Sequence, residues 1–75
     1  LSQQPSVGRI VHYVSYGTPG GEYTSECRAA IVTEVDTGDT VGLMVANPTG
    51  QFFNRTVVHD EDDKRGGTWH WPERV

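Results

Sequence analysis

"ECRAAIVTEVDTGDTVGLMVAN", Glu26 to Asn47, is the stretch on which the fold turns. In its first ten residues Cys27, Ala29, Ile31 and Val35 alternate with Glu26, Arg28 and Glu34, as in a strand with one buried side. That alternation places Cys27 in the core. Asp and Gly tolerate the left-handed conformations of tight reversals, so "DTGD", Asp36 to Asp39, predicts a hairpin turn. The returning strand, Thr40 to Asn47, points Val41, Leu43 and Val45 one way and Gly42, Met44 and Ala46 the other.

The same grammar extends outward in both directions. Leu1 to Ser6 is a polar lead-in to a single domain spanning residues 7–75. Val7 to Tyr16, "VGRIVHYVSY", reads as a strand with Ile10, His12, Val14 and Tyr16 on one face and Arg9, Val11, Tyr13 and Ser15 on the other. Pro19, Gly20 and Gly21 in "GTPGGEYTS" supply turn chemistry before the next strand. Downstream, "NPTG" predicts another tight reversal, and Gln51 to Asp60 a fourth strand. There the adjacent pairs Phe52–Phe53 and Val57–Val58 break simple alternation and predict a bulge or two covered faces. A charged loop, "EDDKRGG", precedes "TWHW", where Trp69 and Trp71 share a side opposite His70 and Pro72 ends the strand.

Five short strands punctuated by turns predict an all-β domain, a small five-stranded SH3-like barrel, with an OB-like barrel as the alternative. Without helices to carry a parallel crossover, the sheet is expected to be antiparallel. At 75 residues, with ten valines but only two leucines and two isoleucines, the aromatic rings must supply much of the buried area.

The formal charge of −4 has the wrong sign for neutralising phosphates, which argues against nucleic acid as a partner. There is no long apolar run to span a membrane. Cys27 is the single cysteine, so no internal disulfide framework exists and a reducing compartment fits.

His12, Cys27, His59 and His70 are the residue types of a tetrahedral zinc site, but they come from four separate strands rather than from paired knuckles. The expectation is therefore one core thiol, three rim or surface imidazoles, and no metal or cofactor, with a metal-binding protein using His12, Cys27, His59 and His70 as a further alternative. Cys27 has no helix N-terminus or neighbouring motif to stabilise a thiolate, so no catalytic residue is assigned and the chain is not read as an enzyme. The acidic run Asp60 to Asp63 lacks the spaced oxygens of a calcium loop and reads as a solvated loop tip. Tyr13, Tyr16, Trp69 and Trp71, with His70, Arg9 and Arg28 nearby, are the candidate binding residues. They suit a groove for an extended protein or peptide partner, with core packing expected for at least one tryptophan. A pocket built from Arg9, Arg28, Tyr13, Trp69 and His70 at subunit borders is the small-molecule alternative, and open strand edges would also permit homo-oligomers.

"VGRIVHYVSYG", "ECRAAIVTEV", "NPTGQFFN" and "GGTWHWPE" resemble segments of short single-domain proteins of actinobacteria and their phages, the last being the most specific. The resemblance spans Val7 to Glu73. It implies a bacterial or phage setting and a cytoplasmic location, and it carries no reaction or catalytic residues with it.

Overall fold

The computed structural model describes residues 4–16 and 26–72, and every regular element among them is a strand. The expected "GTPGGEYTS" turn lies outside the described residues. Strands β1 (Ile10–Val14), β2 (Cys27–Val35), β3 (Val41–Asn47), β4 (Gly50–His59) and β5 (Thr68–His70) follow one another around a closed barrel in chain order. This meander is the order expected of an SH3-like barrel; the OB alternative is a Greek key.

Four of the five junctions are antiparallel, while β4 and β5 run parallel through Val58↔Thr68 and His59↔Trp69. The expectation of a wholly antiparallel sheet is corrected here. Directions cannot alternate around a ring of five, so closure forces one parallel pair. The chain achieves it with a loop, residues 60–67, rather than with a helix.

Val11, Tyr13, Ala30, Val32, Val41, Leu43, Val45, Val57 and Trp69 form the core. The inward face of β3 is the expected one, but that of β2 is reversed. Ala30 and Val32 point in, whereas Cys27, Ala29, Ile31 and Val35 are exposed. Both alternating sets of β2 contain small or branched apolar residues, so alternation alone cannot choose between them. Pairing decides the matter: Ala30 lies opposite Val45 and Val32 opposite Leu43, so the two faces that bury the most apolar area coincide. On β1, likewise, Val11 and Tyr13 fill the barrel while Ile10 and Tyr16 are exposed.

The hairpin at Asp36 forms as expected, with the Asp36 amide donating to the Thr40 carbonyl at 2.8 Å and the Thr37 amide to the Asp36 carboxylate at 2.8 Å. Beyond it the sheet bends at Gly42. On one side Thr33 is an extra residue between the pairs Val32↔Leu43 and Glu34↔Gly42; on the other, Arg55 and Thr56 fall between Asn54 and Val57. Thr56 takes the left-handed conformation (φ 58°), so the bulge expected from the Val57–Val58 irregularity is present. A Cβ on Gly42 would lie 3.2 Å from the Glu34 Cβ, and above this crowded point the Arg55 guanidinium donates to both Glu34 carboxylate oxygens, at 3.2 and 3.0 Å. Past the bend, the β3–β4 hairpin reaches outward: Gly50 to Phe53 are all exposed. At the other terminus the polar lead-in is partly recruited, with Pro5 buried and the Gly8 amide bonded to the Val32 carbonyl at 2.8 Å.

Candidate functional site

The residues expected to bind a partner divide between the interior and the surface. Trp69 is fully buried, and its indole N–H donates to the Asp39 carbonyl at 2.7 Å. Trp71 meets it edge-on with ring centroids 5.1 Å apart, and the Arg9 guanidinium sits 4.8 Å above the Trp71 ring. Tyr13 is also buried, and burial first, then the neighbouring Tyr16, raises its phenol pKa above the ordinary value. Trp69 and Tyr13 thus build the core, as expected for at least one tryptophan, and do not line an open aromatic groove. Tyr16 is exposed with its ring over Gly66 and Gly67, so closely that a side chain at Gly67 would overlap the phenol. Arg28 is ion-paired with Glu26 at 2.7 Å.

The expectation of a core thiol with rim imidazoles is overturned. Cys27 is exposed and His70 is buried. His12 stands directly opposite His70 in the β1–β5 ladder, and Cys27 lies two residues before Ala29, the β2 partner of His12. Because side chains alternate along strands, these three project from one outer face of three adjacent strands. The His12 and His70 rings meet edge-on at 5.5 Å, Cys27 Sγ lies 3.6 Å from His70 Nε2, and one donor atom from each residue falls within 4.8 Å of the others. Spacing along the sequence missed this convergence because barrel closure, not local sequence, brings β5 beside β1.

His59, the fourth candidate ligand, goes elsewhere. Its ring tilts against Trp69 at 4.4 Å, with Nε2 2.9 Å from a Glu61 oxygen and Nδ1 3.7 Å from Asp39. That same Glu61 oxygen accepts the Trp71 amide at 3.0 Å. Partial burial opposes ionisation of Glu61, yet the Trp71 amide and the His59 ring together hold its carboxyl below the ordinary value. The acidic loop is also more than a solvated tip. Asp60 accepts the amides of Asp63 and Arg65 and the Arg65 guanidinium, which above all draws its pKa down to about 2.

A second feature lies on the outer face of β1 to β4. Ile10 pairs with Ile31, Ile31 with Met44 and Met44 with Phe53, so one apolar row crosses four strands. Ile10, Ile31 and Phe53 are exposed, and a shallow groove along the β1–β3 part of the row is lined by Ile10, Ala29, Ala30, Ile31, Met44 and Ala46. The row ends at Phe53, which is 68 % exposed and lies on the outer edge of β4. Among the described residues only Val58 and His59 of β4 pair with a strand on that side, leaving its edge from Gly50 to Val57 without a strand neighbour. One signal in the sequence did point here: adjacent phenylalanines on a strand must face opposite ways, so both can be covered only if both faces are.

No protein-family profile, curated protein or solved structure matches this chain. Among the described residues no helix is long and apolar enough to cross a membrane.

Proposed function

We propose that the chain is a non-enzymatic binding module that accepts an extended protein segment along the outer edge of β4. The observation that carries this reading is the row Ile10–Ile31–Met44–Phe53, which ends at a strand edge with no described neighbour. Natural sheets protect such edges with charge, proline or a covering element, because an edge flanked by apolar side chains templates pairing with another chain. Here Phe52 and Phe53 are both exposed on it. An incoming strand would satisfy the backbone groups of β4 and set an apolar residue beside Phe53, extending the row by one position. Peptide recognition by strand addition uses main-chain hydrogen bonds for affinity and alternate side chains for specificity, which suits a domain too small to enclose a pocket. The partner is accordingly a protein with an extended, alternately apolar segment; the resemblance to proteins of actinobacteria and their phages implies an encounter in the bacterial cytoplasm, as in a phage-encoded modulator of a host component. A second copy of the chain is the simplest such segment.

A photo-crosslinking residue placed at Phe53 is expected to capture partner segments of this pattern in bacterial cells, while the same residue at Arg9 captures none of them. Equal capture at both positions, or none at Phe53, would overturn the assignment.

A further inference from the structure

We infer that His12, Cys27 and His70 form a binding site for a zinc ion. The three residues are contributed by β1, β2 and β5, project from one face, and bring a thiol and two imidazoles within 4.8 Å of one another. In a tetrahedral zinc site, bonds of about 2.3 Å to sulfur and about 2.0–2.1 Å to nitrogen set an S and an N donor about 3.6 Å apart. Cys27 Sγ and His70 Nε2 stand at 3.6 Å, so one pair already has the separation the ion requires. The remaining contraction falls to His12 and Cys27, which are half-buried and exposed and therefore have room to turn.

The donor set selects the metal. Thiolate and imidazole suit a borderline-soft ion such as zinc, whereas magnesium and calcium require carboxylate and carbonyl oxygens. The three positions are also graded in mobility. His70 is 1 % exposed and fixed within the shortest strand; Cys27 opens to solvent and gives the ion a path of entry. Three protein ligands leave a fourth tetrahedral position for water or an exogenous ligand. Binding displaces the thiol proton, so the sulfur enters the site as a thiolate. It also ties β1 to both of its neighbours, β2 and β5, at the place where the barrel closes.

Cobalt(II) titration of the metal-free protein tests the site, because a thiolate ligand produces an intense near-ultraviolet charge-transfer band. The wild type is expected to bind one equivalent with that band, and zinc to displace it. Cys27→Ser should abolish the band, and His12→Gln should weaken cobalt binding at least tenfold. His59→Gln, at a residue that contacts Asp39, Glu61 and Trp69 instead, should bind as the wild type does. Cys27 is exposed, so Cys27→Ser is expected to fold, and circular dichroism of each variant verifies it. Zinc should also raise Tm in the wild type but not in Cys27→Ser. Lack of a one-equivalent complex, a band that survives Cys27→Ser, or dependence on His59 rather than His12 would overturn the inference.

Discussion

The seam where the barrel closes and the arm where it reaches outward are built from the same kind of strand and end in opposite conditions. At the seam, β5 has only three residues, and Thr68, Trp69 and His70 are all buried. The strand and its approach are tied at several points: the Asp60 amide to the Trp69 carbonyl, the Gly67 amide to the Val14 carbonyl, and the Thr68 hydroxyl to the Arg65 carbonyl. On the arm, β4 has ten residues, yet Gly50 to Phe53 are exposed and paired on one side only. Length therefore says little about how firmly a strand is held. A short strand inserted between two partners is fixed by them, while a long one at an edge keeps half its backbone groups available. The seam holds the fold, and the arm leaves an apolar strand edge without a described strand neighbour, the edge proposed above to accept another chain.

Removing the largest side chain of the seam is the severest way to break that contrast. Trp69→Ala deletes a fully buried ring together with its hydrogen bond to the Asp39 carbonyl and its contacts with His59 and Trp71. Aromatic-to-alanine changes in cores cost about 3–5 kcal/mol. At roughly 0.05–0.15 kcal/mol per residue, a chain of this length has about 4–11 kcal/mol in total. Equilibrium urea unfolding is expected to show a loss of that order, with much of the population unfolded in water if the wild type lies near the lower bound. A loss below about 1 kcal/mol would show that Trp69 does not anchor the closure.

Acid acts on the seam more gently, through Asp60. The Arg65 guanidinium, with the Asp63 and Arg65 amides, holds the Asp60 carboxyl at about 2 in the folded chain, below its ordinary 3.8. A depressed carboxyl pKa contributes stability that is fully present above the unfolded value and is lost as pH falls through the folded one. The loop 60–67 is therefore expected to loosen between about pH 4 and pH 2, changing the environment of Trp69, whose carbonyl accepts the Asp60 amide at 3.0 Å. Tryptophan fluorescence followed by pH titration should show this step in the wild type and a flattened one in Asp60→Asn, at a cost smaller than that of Trp69→Ala. An identical acid transition in both proteins would remove Asp60 from the account.

Much of this contrast was legible in the sequence and part was not, for reasons that lie in particular residues. The hairpins at Asp36 and Asn47 were legible because their turn residues act locally, and the inward set Val41, Leu43 and Val45 because its alternative contains a glycine. The buried face of β2 was not, since Ala29 and Ile31 compete on equal terms with Ala30 and Val32 until β3 pairs with them. The parallel junction of β4 and β5 is a property of a five-membered ring and has no residue that announces it. For the same reason His12, Cys27 and His70 looked dispersed: closure alone brings β5, which carries His70, beside the β1–β2 pair that carries the other two. The aromatic reading failed in part because tryptophan is both the preferred ring for a binding surface and the largest filler of a small core, and in Trp69 the core prevails.

The arm supplies the smallest change in stability and the sharpest test of its role. Phe53→Lys replaces a ring that is 68 % exposed, so the stability cost should stay within about 1 kcal/mol, the scale of a single cross-strand pair with Met44. Phe52→Lys alters a ring that is 55 % exposed on the opposite face, outside the Ile10–Ile31–Met44 row. Both place a charge on the edge and would impede generic strand pairing equally. Only Phe53→Lys interrupts the apolar row that an added strand would continue. If edge pairing is guided by that row, sedimentation and crosslinking should show self-association and partner capture falling at least tenfold further in Phe53→Lys than in Phe52→Lys. Equal losses would make the backbone edge alone the recognition element, and the row across the sheet an incidental consequence of a barrel whose β2 is apolar on both sides.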